Sequence, residues 1–502
     1  MVDKFWKQFK SGTDIRGIAS EGVPNENINL TDEVIEKIVK GFAMWLKNNC
    51  NKEFCDLKVA IGKDSRISGD RIIKVTSDTL LNTGVSVFNC GLASTPSMFM
   101  TTIDLDCDGA IEITASHHPF NRNGLKFFTK NGGLEAYDIE AILEFAQDDV
   151  QIQKNTGVET KVNYMKQYAN RLKDMIKKEV NSANYDLPLK GFKIVVDAGN
   201  GVGGFYANDV LAPLGADVNG SQFLNPDGMF PNHIPNPEDE KAMASICNAV
   251  KVAKADMGVI FDTDVDRGGA VDGQGNEINR NRLVAIASAI ALEGNEGGTI
   301  VTDSITSSGL KTYIEETLGG KHYRFKRGYK NVINKALELN EQGINCPLAI
   351  ETSGHAAMKE NYFLDDGAYL CTKIIIKMAQ LSKESKSLES LIESLAQAVE
   401  LTEKRIKITD DNFKDAGLKI LADLEQYAKT QTGWDVATDS AEGVRVSFGT
   451  CDGDGWFLLR LSVHDPIMPL NIESDVCGGV EVILEKIKAF LTTCNGIDIS
   501  ML

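Results

Sequence analysis

The chain reads LKVAIGKD over residues 57–64, a short apolar run that ends in a lysine and an aspartate. A helical pattern of apolar residues follows at 72–81, and the next apolar run, VSVF, occupies 85–88. The same succession begins again with FKIVVD at 192–197 and with GTIVTD at 298–303. Strands that alternate with helices at this spacing are typical of α/β domains with largely parallel sheets. The sequence therefore predicts three α/β domains of one type.

The last quarter of the chain has a different pattern. GVRVSF at 443–448 alternates between apolar and polar residues, and the turn DGDG at 452–455 leads into WFLLRL at 456–461. This pattern predicts a β-hairpin, and a last helical pattern follows near 480–491. We therefore expect a smaller α+β domain with an antiparallel sheet. The predicted domains are 1–155, 156–280, 281–400 and 401–502.

Composition narrows the class of protein. The 502 residues are 42% hydrophobic and 25% charged, which is typical of a multidomain globular enzyme. A net charge of −18 opposes a nucleic-acid partner, because such partners are bound through basic patches. No apolar run reaches the roughly 18 residues of a membrane span, and the first residues lack the apolar core of a secretion signal, so we expect a cytoplasmic protein. The ten cysteines include no Cys-x-x-Cys pair, which favours reduced thiols over a zinc site.

A serine lies where a predicted strand ends. The apolar run at 109–113 leads into TASHHP at 114–119, so Ser116 would emerge at the end of a strand, where ligand sites of α/β domains gather. Its hydroxyl is able to carry a phosphoryl group. Lys126 lies on the segment that returns from this loop, and its charge would stabilise a transferring phosphoryl group or assist proton transfer. Isolated Ser-His pairs and solvated lysines are common. This motif alone is therefore compatible both with a phosphoryl-transfer site and with an ordinary surface loop.

Three carboxylates follow another predicted strand. The run MGVIF at 257–261 leads into DTDVDR, in which Asp262, Asp264 and Asp266 alternate. Side chains of an extended segment alternate faces, so this loop must curl if all three carboxylates contact one ion. The frame of a calcium-binding EF-hand is absent from the sequence, and carboxylate oxygens suit Mg²⁺. Together with Ser116, the triad predicts metal-assisted phosphoryl transfer through a phosphoserine.

Two further clusters are candidates for ligand contacts. ETSGH at 351–355 follows an apolar run, and a carboxylate beside a hydroxyl suits a pair of sugar hydroxyls, although such residues also serve as helix N-caps. The C-terminal hairpin would bring Arg445, Arg460 and Ser462 near one another, and this group would be able to clamp a phosphate.

One glycine-rich segment matches a dinucleotide-binding pattern. GNGVGG at 199–204 follows a predicted strand, and Asp217 lies at the spacing of a ribose-binding acid. A glycine-rich turn between a strand and a helix is also needed for packing in any α/β unit, and no other segment indicates a nicotinamide cofactor. We therefore expect no NAD site.

These motifs occur in the order of a known family. SGTDIRG at 11–17 is similar to its N-terminal signature, TASHHP to its phosphoserine loop, DTDVDR to its metal loop and ETSGH to its sugar-recognition loop. Residues 460–466 occupy the place of its phosphate-binding loop. The chain therefore resembles the α-D-phosphohexomutase superfamily, which includes phosphoglucomutase, phosphomannomutase and phosphoglucosamine mutase. The resemblance covers essentially the whole chain and implies four domains around a central cleft, three α/β domains and a C-terminal α+β domain.

The resemblance also implies a mechanism. Phosphorylated Ser116, with one Mg²⁺ ion held by its phosphate and by Asp262, Asp264 and Asp266, would donate its phosphoryl group to a hexose monophosphate. The resulting hexose 1,6-bisphosphate, which is also the activator, would reorient and return its other phosphate to Ser116. The phosphate would thus move between O1 and O6 of the sugar.

Roles for further residues follow from the same resemblance. Arg16 and Lys126 would assist proton transfer and stabilise charge, and Lys330 in the segment RGYK would face the substrate. The predicted catalytic residues are Ser116, Arg16, Lys126, His117 and Lys330.

Substrate contacts are implied in the same way. Arg267 would flank the metal, Glu351 and Ser353 would hold sugar hydroxyls, and Arg460 with Ser462 would hold the phosphate that is not reacting. The predicted substrate-binding residues are Arg267, Arg327, Glu351, Ser353, His355, Arg445, Arg460 and Ser462.

Three places differ from the usual pattern of the family. His118 stands where an asparagine is usual and Thr263 where a glycine is usual, but neither change removes a reacting group. The loop SVHDP at 462–466 lacks the usual threonine, and Asp465 would add negative charge if it faces the ligand. Phosphate affinity and substrate choice are therefore left open by the sequence.

The leading hypothesis is a phosphoglucomutase or phosphomannomutase that acts on glucose or mannose phosphates. Thr114 favours it over a phosphoglucosamine mutase, which more often has serine there. Two competing hypotheses are a phosphosugar-binding paralogue without activity and a Mg²⁺-dependent phosphatase, and the retained Ser116 and aspartates oppose the first of these. The expected partner is a small phosphosugar, with no nucleic acid and no membrane, and the protein would be a monomer or a homodimer.

Overall fold

The computed structural model describes residues 2–462, 465–500 and 502. Its internal contacts divide the chain into two compact units. Unit 1 comprises Met1–Leu283 and Ser353–Ser390, and unit 2 comprises Val284–Thr352 and Leu391–Leu502. Among the described residues, none of the helices combines the length and the apolar character that crossing a membrane would require.

Unit 1 begins with a mixed sheet flanked by helices. Its strands are β1 (Lys10–Ser11), β2 (Asp14–Ile18), β3 (Lys58–Lys63), β4 (Ser86–Leu92), β5 (Gly109–Ile113), β6 (Arg122–Thr129), β7 (Gly132–Gly133) and β8 (Glu159–Lys161). They pair in the order β1-β2-β6-β5-β3-β4-β8, and β7 pairs with β6. The β5-β3-β4-β8 part is parallel, whereas β6 and β2 are antiparallel to their neighbours. The helices are α1 (Lys4–Lys7), α2 (Asp32–Cys50), α3 (Gly69–Thr83), α4 (Thr95–Asp104) and α5 (Ala136–Gln147).

Helix α2 illustrates how the local sequence produces these elements. Thr31 caps its first turn by accepting the Val34 N–H, and Asn51 ends it in the left-handed conformation. Ile38 and Phe42, four residues apart, are fully buried on its inner face. The apolar face therefore packs into the first core of unit 1.

The second sheet of unit 1 is smaller. Helix α6 (Tyr164–Val180) leads to β9 (Ile194–Asp197), and then come α7 (Glu240–Ala253), β10 (Met257–Phe261), β11 (Gly268–Asp272) and β12 (Glu277–Ile278). The next helix, α8 (Asn281–Leu292), begins in unit 1, and its residues from Val284 onward belong to unit 2. The strand order is β12-β11-β10-β9, with β9 and β10 parallel.

Unit 2 contains a third parallel arrangement. Its strands are β13 (Thr299–Asp303), β14 (Lys321–Phe325) and β15 (Leu348–Ile350), and its helices are α9 (Ser308–Thr312) and α10 (Tyr329–Glu341). The chain then returns to unit 1 with β16 (Ala356–Met358) and α11 (Gly367–Lys383), and α11 packs against α6 and β11.

The C-terminal part of unit 2 is an antiparallel sheet. Its elements are β17 (Glu400–Ile408), α12 (Phe413–Thr430), β18 (Asp435–Val436), β19 (Val444–Phe448), β20 (Gly455–Leu459), β21 (Ile467–Ser474), α13 (Gly479–Leu491) and β22 (Ile497–Asp498). The order is β18-β19-β20-β21-β17-β22, so the predicted hairpin of β19 and β20 is confirmed. Short 3-10 or π turns occur at Phe54–Asp56, Tyr206–Leu211, Ala212–Leu214, Tyr313–Thr317, Lys359–Asn361, Leu388–Ile392 and Thr450–Asp452.

The predicted fold class, three α/β domains and a C-terminal α+β domain, is confirmed. In unit 1, β5 ends at Ile113 and β10 ends at Phe261, so the segments 114–119 and 262–267 both leave the carboxyl end of a buried strand. Polar groups at such ends are free of the strand ladder and available to a ligand.

Candidate active site

Ser116 occupies a strained turn at the carboxyl end of β5. Its backbone has a φ of 50°, in the left-handed region that residues other than glycine seldom adopt. The Thr114 hydroxyl holds this turn by accepting the Ser116 N–H at 2.9 Å. The Ser116 hydroxyl donates to Asp262 Oδ2 at 2.9 Å, and its oxygen lies 3.3 Å from His117 Nδ1. The predicted phosphoryl carrier therefore contacts the first carboxylate of the triad directly.

The three aspartates converge as the metal hypothesis requires. All are buried, and one carboxylate oxygen of each lies within 4.8 Å of the others. The curl comes at Val265, whose φ is 66°. Asp264 Oδ1 and Asp266 Oδ1 are buried without a hydrogen-bond partner among the described residues. Unsatisfied carboxylate oxygens of this kind are costly unless a cation contacts them, so the residues present fit a hard metal ion.

Lys126 supplies positive charge to this cluster. It lies on β6, nearly fully buried, with Nζ 3.2 Å from Asp264 Oδ2 and hydrogen-bonded to Asp266 Oδ2. Burial by itself would raise the pKa of Asp266, but Lys126, His355 and Arg267 outweigh it and lower that pKa. Burial and the charges of Asp266 and Asp264 raise the pKa of Asp262 well above its usual value. The Lys126 ammonium thus keeps Asp266 ionised. The pKa of Asp262 stays raised, and a bound cation would favour its ionised form.

The carboxylates are also held by a threonine that sequence reasoning missed. Thr95, the first residue of α4, donates its hydroxyl to Asp264 Oδ2 and its N–H to the Asp264 carbonyl at 2.9 Å. Its only local signal is its place in the capping segment that starts at Ser94. Nothing in that segment points to a loop 169 positions further along the chain.

Arg267 is tied to a histidine and a second buried carboxylate. Its Nε donates to His355 Nε2 at 2.9 Å, and His355 Nδ1 lies 2.5 Å from Asp365 Oδ2. Arg267 Nη1 lies 3.3 Å from Glu238 Oε2. Burial lowers the pKa of His355, but Asp365 overcomes this and raises it. Asp365 was not predicted from the sequence; with His355 and Asp266 it forms a second group whose ligand atoms lie close together.

The two histidines beside the serine are neutral at ordinary pH. Burial, reinforced by Arg267, lowers the pKa of His117 far below its usual value. Burial and Arg16 lower the pKa of His118 to about 3. A histidine with so low a pKa is a weak base, and His117 Nδ1 lies 3.3 Å from Ser116 Oγ as a neutral hydrogen-bonding partner. Arg16 itself donates to Asp14 Oδ2 at 3.0 Å on β2.

Other predicted site residues lie in unit 2. Glu351, which follows β15, is buried and accepts the Gly328 N–H at 2.5 Å. The Arg327 N–H donates to Glu442 Oε1 at 3.1 Å. Lys330 lies in the first turn of α10. Of the sugar-recognition segment, Ser353 and His355 belong to unit 1 and Glu351 belongs to unit 2.

The three side chains predicted to form one phosphate clamp have different surroundings. Arg445 stacks on Trp456, with Cζ 3.6 Å from the ring centroid, and donates to the Ser304 and Thr306 carbonyls at 3.1 and 3.2 Å. Burial lowers the pKa of Arg460, whose Nε has no acceptor among the described residues. The Ser462 hydroxyl accepts the Asp465 N–H at 3.2 Å. Val463 and His464 of this altered loop lie outside the described residues.

The glycine-rich segment at 199–204 packs on the metal loop. The Val202 N–H donates to the Thr263 carbonyl at 2.8 Å, and a Cβ on Gly201 would lie 2.6 Å from that same oxygen. Only glycine permits this approach. The segment therefore supports the backbone next to Asp262 and Asp264.

Repeated α/β/α domains, a serine loop and an acidic triad define the α-D-phosphohexomutase class of protein. Models of this class match three parts of the chain: "Phosphoglucomutase/phosphomannomutase, alpha/beta/alpha domain I" at residues 7–151, domain II at 166–275 and domain III at 279–399. The chain belongs to the phosphoglucomutase/phosphomannomutase family.

Individual relatives agree with this assignment. A phosphomannomutase/phosphoglucomutase of Pseudomonas syringae pv. tomato is 31% identical over 425 residues, which cover 84% of each chain. A phosphoglucomutase of Neisseria meningitidis serogroup A is 29% identical over 482 residues, 95% of each chain. The crystal structure of a phosphoglucomutase/phosphomannomutase family protein from Burkholderia thailandensis superposes with a TM-score of 0.79 at 26% identity and covers 98% of each chain.

Proposed function

We propose that this protein is a phosphohexomutase that interconverts hexose 1-phosphates and hexose 6-phosphates, with glucose or mannose as the sugar. The observation that supports this most directly is the hydrogen bond from Ser116 Oγ to Asp262 within a triad that has unsatisfied buried oxygens. The names of the relatives, phosphoglucomutase and phosphomannomutase, support the same activity.

The metal that we propose is Mg²⁺, held by Asp262, Asp264 and Asp266 and by the phosphate on Ser116. The donor set consists of oxygens alone, which suits this ion. When bound, it would neutralise charge on the transferring phosphoryl group. Lys126 would share this role, since its ammonium already contacts two of the three carboxylates.

The transfer itself requires a nucleophile and a proton acceptor. A sugar hydroxyl oxygen would attack the phosphorus, the bond from phosphorus to Ser116 Oγ would break, and the hydroxyl proton would pass to a neighbouring base. His117 is a candidate for this step by its position, 3.3 Å from Ser116 Oγ, and Arg16 and Lys126 would stabilise the charge. The hexose 1,6-bisphosphate would then turn and return its other phosphate to Ser116.

Further predicted residues would bind the part of the substrate that does not react. Among the described residues Arg460 Nε has no acceptor, so Arg460 is the proposed contact of the distal phosphate, with Arg327 and Ser462 assisting it. Glu351 and Ser353 would hold sugar hydroxyls, and His355 is a further proposed substrate contact. Arg445 is better explained as a link to the 304–306 segment, because its donors contact those carbonyls.

Three broader expectations accompany this function. We propose four domains with boundaries near residues 155, 280 and 400, which the ends of the matched family ranges support. Free hexose 1,6-bisphosphate would act as the activator that restores phosphorylated Ser116. The net charge of −18 opposes a nucleic-acid partner. We propose a cytoplasmic protein that acts on small phosphosugars as a monomer or a homodimer.

The decisive assay supplies glucose 1-phosphate, mannose 1-phosphate or glucosamine 1-phosphate with Mg²⁺ and a trace of hexose 1,6-bisphosphate. We expect turnover of a neutral hexose phosphate, and a loss of about 10³-fold or more in Ser116→Ala, because the phosphoryl acceptor is gone. Ser77→Ala is the matched control, since Ser77 is also buried and hydrogen-bonded but lies on α3.

Each of the remaining outcomes identifies a different activity. Preference for the amino sugar would indicate a phosphoglucosamine mutase, and release of inorganic phosphate would indicate a phosphatase. Binding without turnover of any of the three sugars would refute the proposal and indicate a phosphosugar-binding paralogue.

A further inference from the structure

Arg66 is a fully buried arginine just beyond the end of β3. Its side chain has no solvent exposure, and it lies 50 positions before Ser116 in the chain. A buried guanidinium is costly unless its donors are used. The partners of Arg66 therefore indicate why the fold retains it.

The guanidinium donates to four backbone carbonyls of residues 116–122, the segment called the serine loop below. Nη2 donates to the Ser116 carbonyl at 2.5 Å and to the His118 carbonyl at 2.6 Å. Nη1 donates to the Pro119 carbonyl at 2.7 Å and to the Arg122 carbonyl at 2.9 Å. Four carbonyls of one seven-residue segment thus point at one cation. Because such buried acceptors need a donor, loss of Arg66 would leave the turn at Ser116 without its main support.

The position of Arg66 is itself fixed. Its Nε lies 3.2 Å from Asp64 Oδ2, and its N–H donates to Asp64 Oδ1 at 2.9 Å. Its guanidinium lies over the Phe230 ring, 5.2 Å from the centroid, and a Cβ on Gly228 would lie 2.6 Å from its Cα. A planar guanidinium that is held on several sides fixes the directions of its N–H donors and so fixes the carbonyls that accept from them. The flexible ammonium of a lysine would not fix these directions.

We propose that Arg66 is the positioning residue of the serine loop: its fork fixes the backbone at Ser116 so that Oγ points at Asp262. It makes no contact with reacting atoms and acts through Ser116 alone. This role rests on the proposed mutase function, since it assumes that Ser116 carries the phosphoryl group. The left-handed φ of Ser116 supports it, because a strained turn persists only where its surroundings hold it.

The test is Arg66→Lys, which keeps the charge and removes the fork. We expect kcat to fall about 10- to 100-fold, because a displacement of the nucleophile by about 1 Å has that effect. KM for the hexose phosphate should stay within about twofold, since no substrate contact is lost. Arg71→Lys is the matched control: Arg71 donates to the Ala19 and Leu30 carbonyls of another loop, and its substitution should leave kcat unchanged.

Chemical rescue separates positioning from stability. In Arg66→Ala, added guanidinium chloride at a concentration far below the unfolding range should restore part of kcat, whereas ethylammonium chloride at the same ionic strength should not. A loss of stability alone would not be reversed by guanidinium. If Arg66→Ala does not fold, Asp64→Asn replaces it in the test. This variant removes the carboxylate that holds Arg66 Nε, and it should lower kcat several-fold without a change in KM.

A second measurement keeps the test independent of turnover. Hydrogen exchange of the 116–122 amides should accelerate in Arg66→Lys and not in Arg71→Lys, whether or not the protein proves to be a mutase. Unchanged exchange in that loop, or a kcat within twofold of the wild type, overturns the proposal. Faster exchange in a protein whose Ser116→Ala variant retains full activity would instead refute the proposed function and leave Arg66 as a purely structural support.

Discussion

The positive charges around Ser116 are balanced by carboxylates, whereas three fully or partly buried arginines of unit 2, Arg324, Arg445 and Arg460, are held in other ways. In unit 1, Lys126, Arg66 and Arg267 each lie within ion-pair distance of a carboxylate: Asp264 at 3.2 Å, Asp64 at 3.2 Å and Glu238 at 3.3 Å. These pairs are largely buried, where an uncompensated charge would cost several kcal/mol. The serine site is therefore organised before any ligand binds.

Three fully or partly buried arginines of unit 2 have no such partner among the described residues. Within the described part of the chain, Arg324, Arg445 and Arg460 form no ion pair, although burial lowers the pKa of each. Arg324 and Arg445 donate to backbone and hydroxyl oxygens of the 304–307 segment, whereas Arg460 Nε has no hydrogen-bond partner within the described part of the chain. A buried cation held by a carboxylate or by several carbonyls supports the fold, and a buried cation held by neither among the described residues is a candidate to bind an anion from solution. The experiments below test this distinction.

The largest effect is expected from Lys126→Met. Loss of the ammonium leaves Asp264 and Asp266 without their internal cation, and kcat should fall about 10²- to 10⁴-fold. The stabilisation that Mg²⁺ gives, measured as the shift in Tm, should become larger, because the metal then offsets charge that Lys126 had offset. Lys63→Met is the control, since Lys63 pairs with the exposed Asp70. An identical Mg²⁺ shift in Lys126→Met and the wild type would show that the triad does not depend on the lysine.

Arg460→Met examines the other side of the comparison. If Arg460 binds the phosphate that does not react, its loss removes a charged hydrogen bond of about 1.5–3 kcal/mol, which corresponds to a rise of about 10- to 100-fold in KM. The Tm should change little, because no internal ion pair is broken. Arg405→Met is the control: Arg405 is exposed and pairs with Glu403 on β17. A lower Tm with an unchanged KM would place Arg460 among the residues that support the fold.

Asp365→Asn should have an intermediate effect, a fall of about tenfold in kcat. The substitution keeps the shape and removes the charge beside His355, so Arg267 is less firmly oriented. The His355 pKa, followed by NMR, should fall, since Asp365 is what raises it. Asp366→Asn is the neighbouring control, because Asp366 caps α11 and accepts from Tyr168. Asp366→Asn should have a lower Tm and an unchanged kcat. An unchanged Tm with a reduced kcat would contradict the roles assigned to both Asp365 and Asp366.

Much of this organisation could be predicted from the sequence, and the exceptions have physical reasons. The serine loop and the triad were found because an apolar run ends abruptly in polar residues, a local signal. Strand β17 was missed because it alternates mostly exposed polar residues, and only Ile406 and Ile408 are buried. Arg66 and Thr95 were missed because their partners lie 50 or more positions away, and no local pattern encodes such contacts.

Glu112 is a further buried carboxyl of unit 1, and its substitution carries the smallest predicted effect. It lies on β5 opposite Lys126 in the strand register, fully buried, and neither carboxylate oxygen has a hydrogen-bond partner among the described residues. Burial, with Asp64 and Asp264, raises its pKa well above the usual value. It is therefore protonated in the folded state at a pH where the unfolded chain is already ionised.

The sign of the resulting pH dependence follows directly. Below about pH 4.5 both states are protonated and Glu112 carries no titration cost, but above it each pH unit costs the folded state about 1.4 kcal/mol until the folded pKa is reached. Glu112→Met should thus raise the free energy of unfolding by about 1–3 kcal/mol near neutral pH, and by less at pH 5. Glu112→Gln does not titrate but still buries a polar group. It should abolish this pH dependence of the free energy of unfolding and keep most of the cost of burying a polar side chain. A destabilised Glu112→Met with reduced kcat would instead show that this carboxyl assists Lys126.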